Sequence, residues 1–542
     1  MIIVYLYLIS FSLIGYGIIL SRFLQINQNC LGIFGILGIT FLAIISYISS
    51  IFVSHNLFFN SAILFLGILF FLYYLRNIKN FKKELLLLSI ICLISIIFVL
   101  VAKNHDDFPY YHFPYISLLT EFSHPVGLGI LNNGFRSPSS IFFISSMFYL
   151  PKSEIFLFHL TPAFVLIFAN LIFLKIIFNK KIFTKNKFYN FYSLFAFSFI
   201  NIFFYRLSEH GTDRSGMILL LIAFIYLITI LNTKIKLNSN EIDLFKIFTI
   251  LIFFVVSIKP FYLIYISLFL IILYNNHTRE IFFKLLFSPT FYYCLLFLFF
   301  TIFYTFLNSA CLIFPISQTC FYDLSWSLDK SVIEDTKVWF ELWAKSGARP
   351  NFVIQDRIEY INDLNWLSNW FENYFFNKVS DFLLGLSFTI LIFYVIYFRS
   401  RFKRVKSENK YYLLVLFFLS LYLIEWFLKH PTLRYGGYHL LALIFFIPTS
   451  IYLSNLNFSF KDYYKKTLVL VLVITSIFIT RNISRLINEH KIYNYNIIKS
   501  LNFQFIGGDR NFYFRYNDHI RNKKNYSTIN LLGKKLNIIT VK

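Results

Sequence analysis

Acidic residues are scarce in this chain: 26 Asp and Glu stand against 50 Lys and Arg in 542 residues, and charged residues make up 14%. Charge is nearly missing from the interiors of the long apolar runs, where Lys175 and Glu425 lie close to run ends. Ion-coupled transport places ionisable groups near the middle of the bilayer, so that class is disfavoured. The basic loops hold no glycine-rich phosphate loop, which argues against an ATP-driven transporter. The N-terminus has neither a basic leader nor a small-residue cleavage site, and residues 2–20 read as a retained span. Cysteine is rare too. Cys30, Cys92 and Cys294 fall in or beside apolar runs, where a free thiol behaves as a small apolar group. Cys311 and Cys320 share one loop and are disulfide candidates in an oxidising exterior, subject to a Cβ geometry that sequence does not fix.

What the chain has instead is apolar length. Apolar residues make up 58%, with 73 Phe and 38 Tyr, and near-spanning runs recur from Ile2 almost to Thr480. This predicts an all-α polytopic integral membrane protein of about fourteen transmembrane helices. The runs lie near 2–20, 31–53, 57–75, 85–102, 155–178, 188–205, 216–232, 244–257, 260–274, 286–307, 381–398, 411–428, 438–455 and 467–480. Cations alternate between the connections. One set carries Arg76, Lys79, Lys82 and Lys83, then Lys180, Lys181, Lys185 and Lys187, and later Arg399, Arg401, Lys403, Arg404, Lys406 and Lys410. By the positive-inside rule these loops are cytoplasmic, which leaves the N-terminus and the tail after Arg481 outside. The formal charge of +24 would suggest nucleic acid in a soluble protein; here the loop asymmetry accounts for much of it, and no nucleic-acid partner is expected. The expected organisation is a transmembrane domain over 1–480 with outer loops at 103–154, 206–215, 308–380 and 429–438. A small, β-containing extracytoplasmic segment follows over 481–542.

The uncommon residues gather in those outer loops. His105-Asp106-Asp107 follows the run 85–102 directly and precedes an aromatic stretch, 108–115. Adjacent carboxylates at a membrane edge are costly and are functional candidates by default. The amphipathic stretch 110–122 is expected to lie in the interface as a helix with its aromatics toward lipid. Arg136 comes later in the same loop. The next outer loop packs Glu209, His210, Asp213 and Arg214 together, and Lys259-Pro260 marks an outer helix–helix corner. Five of the six tryptophans fall within 308–380, and Trp426 ends a span on the same side. Tryptophan favours the headgroup level, so this loop is expected to rest on the membrane or to cover a cavity. The last short outer loop contains Pro431, Thr432, Arg434 and the pair Gly436-Gly437.

This layout resembles the GT-C class of membrane glycosyltransferases, which includes the protein mannosyltransferases and the oligosaccharyltransferases. The resemblance covers most of the chain in layout. In motif it rests on Asp106-Asp107 in the first large outer loop and on the acid-and-base loop from Glu209 to Arg214. The chain also looks like bacterial membrane proteins of surface polysaccharide synthesis, in the pieces 311–315, 320–326 and 431–436. The resemblance implies a GT-C-like fold in a bacterial cytoplasmic membrane with an extracytoplasmic active site. It implies an inverting hexosyl transfer from a polyprenyl-phosphate-linked sugar to a glycan, lipid or protein acceptor. Such a transfer needs a base for the acceptor hydroxyl and cations for the departing phosphate. Asp106 or Asp107 is the expected base, and Arg434 and Arg214 the expected phosphate ligands, with Arg136 and Lys259 as further outer cations. Glu209, His210 and Asp213 form a second acidic element for the acceptor. No cofactor is required by this pattern; a divalent metal stays open as the less favoured option.

Each residue also has a plainer reading. Asp106 and Asp107 are well placed to cap the helix that follows. Glu209, Asp213 and Arg214 are spaced for a mutual salt-bridge cluster, and Arg434 and Lys259 for interfacial anchoring. Two functional rivals share the topology: a polysaccharide polymerase or ligase, resting on outer Arg and His, and a transporter of lipid-linked sugar without transferase chemistry.

Overall fold

The computed structural model describes residues 1–75, 81–101, 103–105, 107–209, 211–232, 239–274, 276–348, 354, 356–398, 410–457, 459–494, 526–531 and 534–539. The first three helices are α1 (Ile2–Phe23), α2 (Leu31–Phe52) and α3 (Leu57–Tyr74). α1 and α2 approach to backbone contact through glycine: a Cβ on Gly17 would sit 1.7 Å from the Phe34 carbonyl oxygen, and one on Gly38 at 1.7 Å from that of Leu13. Between membrane helices packing replaces hydrophobic burial as the driving force, and small residues permit it.

The chain continues through α4 (Phe81–Val99), α5 (Leu160–Ile177), α6 (Lys187–Phe203), α7 (Asp213–Leu231) and α8 (Ser239–Ile258). A 3-10 turn, Pro260–Ser267, leads into α9 (Leu268–Tyr274), followed by α10 (Pro289–Ser309), α11 (Ser380–Tyr397), α12 (Lys410–Lys429), α13 (Gly437–Ser454) and α14 (Phe460–Tyr493). Ten helices among the described residues are long and apolar enough to cross a membrane, so the chain is a polytopic helical membrane protein. α6 and the segment Pro260–Tyr274 are apolar but shorter, and α4 and α8 begin with charges, Lys82, Lys83 and Glu84 in one and Asp243 and Lys246 in the other.

α5 and α7 are apolar on every face and buried along nearly their whole length, which puts them at the centre of the bundle. α5 packs on α2, α4, α6 and α7. Asn170 and Asn201 link α5 to α6 by reciprocal amide hydrogen bonds of 3.2 and 2.7 Å, an uncharged tie of the kind that joins helices in lipid.

Three expectations from sequence change here. The stretch 110–122 is a helix, Phe113–Glu121, but Phe113, Tyr115, Ile116, Leu118 and Leu119 are buried in protein and do not face lipid. Its periodicity marks a buried helix under the outer loops, where Tyr115 bonds His124 at 2.8 Å. The final helix does not stop at 480: α14 runs to Tyr493, because Arg485 and Glu489 pair with each other (3.0 Å) inside the protein. The tail beyond carries a two-stranded antiparallel hairpin, β1 (Tyr526–Leu531) and β2 (Lys534–Ile539). The tryptophans are the third change. Trp326, Trp366, Trp370 and Trp426 are buried in protein, each with its indole N–H donating to a backbone carbonyl.

Candidate functional site

The end of α4 sets the position of everything that follows. The last carbonyls of a helix have no partner within it and need capping. In α4 and just beyond, Arg485 donates to the carbonyls of Ile97 (3.1 Å), Phe98 (3.3 Å) and Leu100 (2.9 Å). Ser208 Oγ also donates to the Phe98 carbonyl (2.5 Å), and His159 Nε2 lies 2.8 Å from that of Val99. A cation at a helix C-terminus is also favoured by the helix dipole. Three distant segments thus hold one helix end, and the loop that leaves it, 103–107, has a fixed start. The His105 N–H then donates to the Glu209 carbonyl (2.8 Å), which joins the loop after α4 to the loop before α7.

Asp107 stands at the entrance of a π-helical turn, Phe108–His112, but its side chain makes no capping bond. It faces Arg434 instead, with Nη2 at 2.6 Å from Oδ2. The same guanidinium reaches Asp213 through Nε at 3.4 Å, and Lys259 Nζ approaches the other Asp213 oxygen at 2.9 Å. The result is a charged chain, Asp107–Arg434–Asp213–Lys259, that links the loop after α4, the start of α7, the break after α8 and the loop before α13. Burial alone would push the Asp107 carboxyl up; the Arg434 guanidinium beside it holds it below its ordinary value. Burial lowers His105 against the pull of Asp107, and takes the imidazole of His112 down to about 3, so His112 is neutral.

Arg434 is held by aromatics that sequence alone assigns to the interface. Trp370 Nε1 donates to the Pro431 carbonyl (2.6 Å), Trp426 Nε1 to that of Thr432 (2.8 Å), and the Leu433 N–H donates to Tyr374 Oη (2.8 Å). Gly436 then turns the chain into α13 at φ +96°, a left-handed conformation that favours glycine. The loop therefore fixes Arg434 against the two carboxylates and not toward the headgroups.

Around this chain lies a cavity of about 390 Å³. Its described lining includes five cations (Lys103, Arg206, Arg214, Lys378 and Arg434) and three carboxylates (Asp107, Glu209 and Asp213). Arg206 is held by Glu209 through a two-pronged bond of 2.6 and 2.8 Å. Lys103, Arg214 and Lys378 form no ion pair among the described residues; Arg214 lies over the rings of Phe204 and Tyr438, at 5.5 and 5.9 Å. Among the described residues the cavity thus presents three cations without counter-charges beside two clamped carboxylates, an arrangement that favours an anion. His112 completes the wall: it is buried, and neither ring nitrogen has a hydrogen-bond partner.

Of the residues singled out from sequence, Asp107, Glu209, Asp213, Arg214 and Arg434 line the cavity, with Lys259 just behind Asp213. Asp106 and His210 lie outside the described residues. The structure does not bring Arg136 to the cavity. Its guanidinium donates to the Gly129 carbonyl (3.2 Å), Asn133 Oδ1 (3.0 Å) and Thr336 Oγ1 (2.7 Å), which pins the connection between α4 and α5 to the one between α10 and α11. Cys311 and Cys320 form a disulfide that closes a loop away from the cavity. Glu209, Asp213 and Arg214 do not form a mutual cluster either; each acid pairs outside the trio. Among the described residues no three His, Cys, Asp or Glu side chains converge as metal ligands. Sequence reasoning passed over Lys103, Lys378 and the positioning role of Arg485. A charge on the otherwise apolar face of the last helix was the available signal for Arg485, and Lys378 offered none.

A family model described as Domain of unknown function (DUF8201) matches residues 1–441, a range that takes in every residue lining the cavity. No curated protein and no solved structure matches the chain.

Proposed function

The chain belongs to the DUF8201 family, and we propose that it is an inverting glycosyltransferase of GT-C-like architecture. In this reading it crosses a bacterial cytoplasmic membrane about fourteen times and acts at the extracytoplasmic face. It moves a sugar from a polyprenyl-phosphate-linked donor to a glycan, lipid or protein acceptor in surface polysaccharide synthesis. The observation that carries the reading is the cavity, in which Asp107 and Asp213 share Arg434 beside Lys103, Arg214 and Lys378, which form no ion pair among the described residues. Cations without partners suit the donor's phosphate, and the carboxylates suit the acceptor's proton.

The chemistry follows from these contacts. The acceptor oxygen forms a bond to the sugar C1 as the bond from C1 to the phosphate oxygen breaks. The electron pair leaves with the phosphate, and the hydroxyl proton passes to Asp107. Alone with Arg434, Asp107 is a weak base. A donor phosphate competes with both carboxylates for Arg434, and a carboxylate relieved of that pairing is more basic. Donor binding and activation of the base are then one event.

The test is complementation by Asp107→Asn and Arg434→Met variants, with membrane abundance and lipid-linked sugars measured in parallel. Loss of surface glycan at normal abundance, with the lipid-linked donor accumulating, supports the transferase. Undiminished glycan in both variants removes it, and moves the reading to a polymerase or ligase resting on Arg214 and Arg206, or to transport.

A further inference from the structure

We propose that the disulfide-closed loop Cys311–Cys320, together with Phe321 and Tyr322, is a lipid-docking surface seated in the bilayer interface on the cavity side of the protein. This rests only on the membrane character of the chain and not on the transferase reading. The loop leaves the C-terminal end of α10, whose Leu307 carbonyl accepts from the Gly127 N–H (2.7 Å), so it emerges on the side of the first outer loop. α10 carries a stripe of exposed apolar side chains, Tyr292, Leu295, Leu296, Phe299 and Ile302, at the spacing of one helix face. Phe306 extends that stripe, and its ring meets Phe321 at 5.6 Å. Beyond it Leu312, Ile313, Ile316, Phe321 and Tyr322 are all at least 40% exposed. So the lipid-facing surface of α10 continues without interruption onto the loop.

Two further properties suit the loop to lipid and not to water. No charged residue occurs from Asn308 through Tyr322. The loop also satisfies much of its own backbone, which is the condition for placing irregular chain near hydrocarbon. The Leu312 N–H donates to the Thr319 carbonyl (3.0 Å), and the Ile313 N–H to Thr319 Oγ1 (3.1 Å). The Ile316 N–H donates to the Ile313 carbonyl (2.9 Å), and the Phe321 N–H to that of Ala310 (2.9 Å). The disulfide holds the loop's two ends together, and Phe314 packs inward with Leu328 and Ile333, leaving the other apolar side chains outside. An amphipathic surface of this kind sits ~5–10 Å into the headgroup–acyl boundary.

The test uses the full chain in phosphatidylcholine nanodiscs, with acyl chains brominated near the headgroup or left plain. Ile313→Trp and Phe321→Trp each add an emission that is read as the difference from the parent protein. Both positions are at least 40% exposed; Trp at 321 keeps an aromatic ring against Phe306, and Ile313, away from that contact, serves as its control. The expected result is that bromolipid quenches the added emission about twofold or more while aqueous iodide has little effect. Quenching by iodide and not by bromolipid overturns the proposal, because the loop is then in water. Shielding from both also overturns it, because another protein or a second copy of this chain then covers the loop.

Discussion

Replacing Arg434 by methionine removes the guanidinium that bonds both Asp107 and Asp213, and the structure sets the size of the effect. Asp213 keeps Lys259 at 2.9 Å, so the main orphan is Asp107. Leaving a fully buried charge without its partner costs about 3–5 kcal/mol. Here the side chains of Arg434 and Asp107 retain 29% and 25% of their exposure, and water screens part of the loss, so about 2 kcal/mol is expected. Asp107→Asn costs less, since Arg434 keeps Asp213. The double variant loses less than the sum of the singles, with a coupling of about 1–2 kcal/mol. Unfolding in mixed micelles by added SDS measures all four corners of the cycle. The pH dependence gives an independent arm. The folded value of Asp107 lies below its ordinary 3.8, so its stabilisation is complete above that range and is lost as pH falls through the folded value. The stability gap between the parent and Asp107→Asn therefore closes in strong acid. Additive single effects, or a gap that persists there, would refute the reasoning that Arg434 and Asp107 act as a pair.

Three further outcomes follow from particular contacts. His112→Phe is expected to hold or raise stability by about 1 kcal/mol, since both ring nitrogens are buried without partners; a clear loss of thermal stability would count against this. Arg485→Ala is expected to cost about 3 kcal/mol, because Glu489 is left buried and the carbonyls of Ile97 and Leu100 lose this donor, while that of Phe98 keeps Ser208. Adding Glu489→Ala should recover part of that loss in the same SDS titration. Trp370→Phe removes the donor to the Pro431 carbonyl at a cost of about 1 kcal/mol, and amide exchange across residues 432–435 should quicken. Unchanged exchange there would show that the indole does not hold the Arg434 loop.

The helical runs were legible because lipid makes their sequence nearly uniform: a stretch such as that of α7 has few alternatives to a buried helix. Charges at the ends of such runs are expensive, which singled out Asp107, Asp213 and Arg434, three side chains that the structure brings together. What sequence did not reveal is which charge meets which. Asp213 and Arg214 are neighbours, yet one joins the Arg434 chain and the other lies over aromatic rings; helical rotation at the start of α7 separates them. The tryptophans misled for a related reason. Indole is amphipathic, and a residue that prefers the headgroup level also suits a buried position with one carbonyl to bond, as Trp370 and Trp426 do. Arg136 misled because a lone outer arginine looks the same whether it awaits a phosphate or pins two loops.

Where the charges lie along the helix axes bears on the choice between transfer and transport. A carrier moves its cargo through the membrane and needs polar or ionisable groups on the path, often at broken helices near the midplane. In this chain Asp213 begins α7, Lys259 follows α8, Arg434 precedes α13 and Asp107 follows α4, so all four sit at helix ends on one side. The one break near them, Pro260–Ser267, serves to direct Lys259 onto Asp213. Deeper in the bundle the linking polar groups are amides such as Asn170 and Asn201, and these are occupied by each other. A ligand drawn by these cations would thus be held at the helix ends, with no second charged station beneath it among the described residues. Holding a lipid-linked anion at the edge, beside a carboxylate clamped by the arginine it would engage, favours chemistry on that anion over its passage.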